Sequence, residues 1–248
     1  MGKIIILGAT SGLGRGVAET LLRKGWTVGV AGRDEARLAE LATEWPGKVV
    51  ARAIDITDKN AAQSLVRLIQ DMGGVDIYFH CSGILPSNSE LAEDDELLTV
   101  STNVEGFTRM ISAAYRYFRS TRLPGKIAAI TSIAGIRGVA GLASYCASKS
   151  YDSTYLEALR QQANAEKLPV SIVDIRPGWV RTPLLDSDKK YTFEMSADKA
   201  VRLIVDALLH SSRGRVIGAR WRFLCAIERI VPGFIWQRVN LPLWSSGR

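Results

Sequence analysis

Lys3-Ile-Ile-Ile-Leu-Gly8-Ala-Thr-Ser-Gly12-Leu-Gly14-Arg15 sets the pattern of the chain: four consecutive apolar residues, a turn holding three glycines, then apolar side chains at helical spacing over 13–24. An apolar run this short, rich in isoleucine and bounded by glycine, reads as a strand buried on both faces. A helix that follows directly on a glycine turn makes a strand–turn–helix unit. Without Cβ atoms, the glycines let backbone N–H groups and the positive end of the helix approach an anion such as a pyrophosphate. No Gly-Lys-Ser/Thr completes the turn, which argues against a P-loop.

Outward from this unit the same rhythm repeats. Strands are expected at 26–31, 49–54, 75–80, 126–131 and 170–175. Helices are expected at 35–43, 59–72, about 90–120 and 142–167, the last ending before Pro169, with a further helix at 198–210 and a short strand at 215–217. Parallel strands must be joined by crossovers that cover the sheet, so this alternation predicts an α/β fold: a doubly wound parallel sheet (Rossmann fold) in three αβα layers. Ligand is expected at the carboxyl ends of the strands. Residues 1–218 are read as a single domain and 219–248 as a basic, tryptophan-rich extension.

With 248 residues, 47% hydrophobic and 23% charged, the chain has the composition of a globular domain with a full core, which excludes disordered and fibrous classes. Cys81, Cys146 and Cys225 form no CxxC pair, so neither a disulfide framework nor a thiolate zinc site is expected, and a reducing, cytoplasmic setting fits. With His80 and His210 the only histidines, no metal site is expected. The opening apolar run is far shorter than a signal-peptide core or a membrane span, so a mature first strand is expected. Net charge is +7, but residues 211–248 hold seven arginines and one glutamate, leaving the rest almost neutral. A general nucleic-acid binder is therefore not implied.

Several positions carry chemistry. The second strand ends at Gly32-Arg33, where an NAD site would often place an acid; Arg33 instead suits a 2′-phosphate, with Arg15 in the glycine turn assisting, so NADP(H) is expected over NAD(H). Asp34 reads as a helix cap, and Asp55 stands at the end of the third strand, where it could meet an adenine amino group. Ser132 ends the fifth strand, followed by Tyr145 and, one helical turn later, Lys149. Residues i and i+4 share a helix face, so the ammonium of Lys149 would lower the pKa of the Tyr145 phenol. Tyr145 could then exchange a proton with a carbonyl oxygen that Ser132 holds.

With these motifs in this order, residues 3–210 resemble the short-chain dehydrogenase/reductase family. The resemblance implies an NADP(H)-dependent oxidoreductase that moves hydride between the cofactor and a carbonyl or alcohol. It implies Asn103, Ser132, Tyr145 and Lys149 as the catalytic set. It assigns the cofactor to Gly8, Thr10, Ser11, Gly12, Leu13, Gly14, Arg33, Asp55, Ile56, Ser82, Gly83, Tyr145, Lys149, Pro177, Gly178, Val180 and Thr182. It also implies a homodimer or homotetramer. One departure stands out: His80-Cys81-Ser82-Gly83 replaces the family's Asn-Asn-Ala-Gly, and His80 is read as structural.

Residues 182–196 match the family's variable substrate lid, with Leu184, Leu185, Tyr191, Phe193 and Met195 suiting a modestly apolar substrate or packing locally. The extension interleaves Trp221, Trp236 and Trp244 with arginines, without a run long enough to cross a bilayer. Two readings stay open: peripheral membrane contact, or a subunit contact or flap over the substrate site. The alternative to an enzyme is a nucleotide-sensing or membrane-docking protein of the same fold.

Overall fold

A computed structural model describes residues 2–86, 88, 90–185, 188–239 and 244–246. Among them the strands are β1 (Lys3–Leu7), β2 (Thr27–Gly32), β3 (Val49–Ala53), β4 (Ile77–His80), β5 (Gly125–Ile130), β6 (Val170–Arg176) and β8 (Arg215–Val216), with a separate pair β7 (Lys189–Tyr191) and β9 (Trp244–Ser246). The helices are α1 (Gly12–Arg23), α2 (Glu35–Glu44), α3 (Ala61–Asp71), α4 (Glu93–Val100), α5 (Phe107–Thr121), α6 (Ala143–Ala165), α7 (Ala197–His210), α8 (Ala219–Ile230) and α9 (Gly233–Trp236).

The seven-stranded sheet has the order β3-β2-β1-β4-β5-β6-β8, and every pairing in it is parallel. β1 shows why its sequence is apolar without alternation. Ile5 and Leu7 face a core built with α3, α5 and α6, while Ile4 and Ile6 face a second core built with α1 and α7. Both faces are covered, so the expected doubly wound, three-layer architecture is present.

The winding direction reverses beside β1. The chain goes from β1 outward through β2 to β3, then returns to β4 on the other side of β1 and continues to β8. Leu7 is in register with Ala31 on β2 and His80 on β4. The glycine turn therefore leaves the sheet between the ends of β2 and β4, where a crevice forms because consecutive helices cover opposite faces.

Three departures from the expected elements bear on the site. The single helix expected over 90–120 is interrupted by a π-helical turn at Ser101–Gly106, which separates α4 from α5. Gly106 in that turn packs against Ile56, where a Cβ would stand 2.7 Å from Ile56 Cγ1. The antiparallel pair β7–β9 joins the substrate loop to the chain's end. The extension also forms α8 and α9; the parts of the 219–248 reading that fall on 240–243 and 247–248 lie outside the described residues.

Candidate active site

A cleft of about 550 Å³ opens at the carboxyl ends of β1 to β4. Gly8, Thr10, Ser11, Gly12, Leu13, Gly14, Arg33, Asp55, Ile56, Ser82, Gly83 and Thr182 all line it. Gly8 adopts φ +88°, and a Cβ there would stand 2.9 Å from the Cys81 carbonyl carbon; at Gly14 a Cβ would stand 2.1 Å from the Gly8 carbonyl oxygen. The turn is thus closed main chain against main chain. α1 begins without a side-chain cap or an acid in its first turn, so its positive end is available to an anion from the cleft.

At the far end of the cleft, Arg33 is on the wall but Arg15 is not. The expected assistance from Arg15 is corrected: its guanidinium bridges α1 to α2 through Glu19 at 2.9 Å and Glu40 at 3.0 Å. A guanidinium held by carboxylates on two helices has its donors engaged. The second arginine on the wall is Arg37, in the first turn of α2; its Nε pairs at 3.2 Å with Asp34, which is also on the wall and caps the Arg37 backbone N–H, leaving the outer guanidinium nitrogens toward the cleft. Arg37 was not singled out from the sequence, because its reach into the cleft depends on where α2 docks. The Thr57 backbone N–H and hydroxyl both donate to Asp55 Oδ1, at 2.9 and 2.8 Å. Burial works against the Asp55 charge, but these bonds and nearby Arg33 outweigh it and hold its pKa below the ordinary value.

Beyond Gly83 lies a buried cluster of side chains. A Cβ on Gly83 would be 3.2 Å from Asn103 Oδ1 and 3.6 Å from Lys149 Nζ, so this glycine lets the cleft wall touch both. Asn103 is fixed by the main chain of Ile84, accepting from its N–H and donating to its carbonyl, each at 2.9 Å. Its place in the π-helical turn directs the side chain across to residues 83–84. Lys149 Nζ lies 6.0 Å from the centre of the Tyr145 ring. The Ser132 hydroxyl stands close enough to Tyr145 to pull its pKa down, and it accepts from the Ala134 N–H at 3.1 Å. All four residues expected to form the catalytic set meet here.

The electrostatics differ from expectation in one respect. Burial pushes the Tyr145 phenol above its ordinary value, and the opposing pull of Lys149 and Ser132 does not overcome it. Lys149 is itself held by Asp152, which is fully buried and accepts from Lys149 Nζ at 2.8 Å. Burial lifts the Asp152 carboxyl to about 6, against the favourable Lys149 charge, and the other carboxylate oxygen has no hydrogen-bond partner. Burial disfavours the Lys149 charge, but Asp152 and Tyr145 outweigh it and raise its pKa. Asp152 also raises the Tyr145 pKa. Its spacing of three residues after Lys149 was the available signal, since i and i+3 share a helix face.

Leu85, Ala134, Val139, Leu142, Cys146 and Trp179 pack around Tyr145 as an apolar cluster. In the substrate loop, Tyr191 tilts against Trp179 with ring centroids 4.7 Å apart, while Leu184 lines the cleft. Phe193 is half exposed and meets Trp221 of α8 edge to face. Pro177, Gly178 and Val180 are not on the cleft wall. The Pro177 carbonyl accepts from Ile133, Gly178 lies under the Trp221 indole and Val180 bridges to Met195. His80 is structural: its Nδ1 is 3.0 Å from the Tyr78 hydroxyl, and burial, helped by Lys149, drives its pKa down to about 3. Burial raises the Cys81 thiol to about 12, which keeps it in the thiol form at neutral pH.

Residues 3–191 match the family described as short chain dehydrogenase. An uncharacterized oxidoreductase of Staphylococcus saprophyticus is 30% identical over 187 residues, which is 73% of this chain and 79% of the relative. The 3-oxoacyl-[acyl-carrier-protein] reductase of Haemophilus influenzae is 30% identical over 193 residues, 75% of this chain and 77% of that protein. Among solved structures, the 3-ketoacyl-(acyl-carrier-protein) reductase from Brucella melitensis, complexed with NADH, superposes with a TM-score of 0.76 at 22% identity, covering 89% of this chain and 98% of its own.

Proposed function

The chain is an oxidoreductase of the short-chain dehydrogenase family, and on that premise we propose that it transfers hydride between NADP(H) and a carbonyl or alcohol substrate, with Tyr145 exchanging the proton. The observation that carries this reading is the meeting of Tyr145, Lys149, Ser132 and Asn103 behind the glycine-walled cleft.

The residues present fit a dinucleotide. The crowded glycine turn and uncapped start of α1 suit its pyrophosphate, and the constrained carboxylate of Asp55 suits the adenine amino group. Arg33 and Arg37 share the wall where Gly32 supplies no acid for a ribose 2′-hydroxyl, which supports NADP(H) over NAD(H). When bound, the reduced nicotinamide supplies the hydride that reaches the substrate carbon.

Tyr145 gives its hydroxyl proton to the carbonyl oxygen as the carbon is reduced. A phenol held protonated by burial suits this direction. Ser132 holds the same oxygen, and the Lys149 ammonium stabilises the phenolate left behind. Asn103 holds the wall beside Lys149 through its paired hydrogen bonds to Ile84. The apolar cluster around Tyr145 supports a modestly apolar substrate. The functional unit is then residues 1–218, with 219–248 as an extension whose described residues roof the substrate side. The half-exposed Leu97 and Leu98 on α4 support a contact between copies of the chain as a homo-oligomer, and a cytoplasmic setting fits the free cysteines.

Incubating the protein with NADPH or NADH and a panel of aliphatic and aryl ketones, aldehydes and β-ketoesters tests this. Carbonyl-dependent oxidation of NADPH, faster than of NADH, is expected; cofactor binding with no turnover across the panel would favour the sensing alternative.

A further inference from the structure

The extension presents two opposite faces. Trp221 and Cys225, one turn apart on α8, are buried against the body of the protein. Trp236 of α9 donates from its indole N–H to the Gly138 carbonyl at 2.8 Å, and Arg137 donates to the Glu228 and Val231 carbonyls. Arg220 lies 5.8 Å from the centre of the Phe193 ring in the substrate loop. The inward face therefore roofs the substrate side.

The outward face combines exposed apolar side chains with arginines. Phe223, Ile227 and Ile230 follow one another at i, i+4 and i+7, so they form one stripe of α8, and Phe234 continues the apolar run after the Pro232-Gly233 break. Phe223 is 69% exposed, Ile230 79% and Phe234 63%. Arg222, Arg229 and Arg238 are exposed, and no ion pair to a carboxylate is present for them among the described residues. The one acid of the extension, Glu228, is half-buried beneath them.

We propose that this face docks on the surface of an anionic lipid bilayer. Apolar side chains that point away from the protein enter the acyl boundary, while the arginines beside them meet anionic headgroups. No helix among the described residues is long and apolar enough to cross a membrane, so the contact is peripheral and in the plane of the interface. A second copy of the chain would bring the same arginines against one another with a single acid available in each extension, which disfavours self-association through this face. Docking would set the roof of the substrate side against the lipid, so an amphiphilic carbonyl compound could pass from bilayer to site.

Full-length protein is sedimented with vesicles of phosphatidylcholine alone and of phosphatidylcholine mixed with phosphatidylglycerol. Partition onto the anionic vesicles only is expected. Phe223→Ser with Ile230→Ser, and separately Arg222→Gln with Arg229→Gln, should each lower it about tenfold or more while leaving the melting temperature unchanged. All four side chains are exposed, so folding is not at stake. Wild-type protein that stays in solution with both vesicles, or variants that partition as the wild type does, would overturn the proposal. So would an oligomer that the Phe223→Ser, Ile230→Ser pair dissociates in the absence of any vesicle binding. Because sedimentation needs no turnover, its failure is separate from failure of the catalytic reading.

Discussion

The two ends of the crevice are built from different materials. At the cofactor end the surface is main chain: a glycine turn pressed against residues 81–82 and the start of a helix. At the catalytic end it is buried, mutually dependent side chains, with Tyr145 leaning on Ser132 and Lys149, and Lys149 leaning on Asp152. A site made of backbone tolerates changes in distant side chains but admits no extra atom. A site made of coupled charges admits changes in volume but responds to every charge placed near it.

Removing the phenol should have the largest effect on rate. Tyr145→Phe is expected to lower turnover about a thousandfold with NADPH affinity kept, as read by steady-state kinetics beside cofactor fluorescence titration. At the backbone end, Gly14→Ala places a Cβ 2.1 Å from the Gly8 oxygen and should weaken NADPH binding about a hundredfold, with kcat changed far less for the fraction bound. If Gly14→Ala bound normally, the turn would not be the closed surface described.

Replacing Arg33 and Arg37 together by serine should weaken NADPH about thirtyfold and leave NADH nearly unchanged, narrowing the preference. Arg15→Ala should leave that ratio alone, since its guanidinium is engaged with Glu19 and Glu40.

The smallest expected rate effect, and the most diagnostic, belongs to Asp152→Asn. Asp152 raises the Tyr145 pKa, so its removal should shift the rise of alcohol oxidation with pH, which follows ionisation of Tyr145, to lower pH, with kcat for reduction altered only severalfold. Its own titration gives a second readout. Burial lifts the folded carboxyl to about 6, above its ordinary value, so the folded state holds this proton more tightly than the unfolded chain does. The stability it contributes is full below about pH 4 and is lost as pH rises through about 6. Thermal melts across that range should show this slope in the wild type and not in Asp152→Asn. The variant should also be less stable by about 3 kcal/mol, because it leaves the Lys149 ammonium buried without its counter-ion.

The same contrast explains what the sequence made legible. β1, the glycine turn and the order of strands are written locally, in runs of Ile and in glycines that no other residue replaces. The i, i+4 spacing likewise brought Tyr145 and Lys149 to one helix face. What escaped depends on partners distant in the chain. Arg15 looked free until α2 brought Glu40 to it, and nothing local in the sequence marks Arg37, which the same helix sets on the cleft wall. The helix over 90–120 carried no mark of the π-helical turn that turns Asn103 toward Ile84. The extension showed its composition but not its two faces, because only packing decides that Trp221 turns in and Phe223 turns out.

The catalytic end works through electrostatics: a phenol kept protonated by burial, with an ammonium restraining how far its pKa climbs. The most direct measurement is an NMR titration of protein labelled with carbon-13 at the tyrosine ring carbon bearing the hydroxyl, with Tyr145→Phe assigning the signal. The Tyr145 resonance should stay protonated at neutral pH, titrate above the ordinary tyrosine value, and move higher still in Lys149→Met. A Tyr145 already ionised at neutral pH, or one whose titration does not respond to loss of Lys149, would contradict the account.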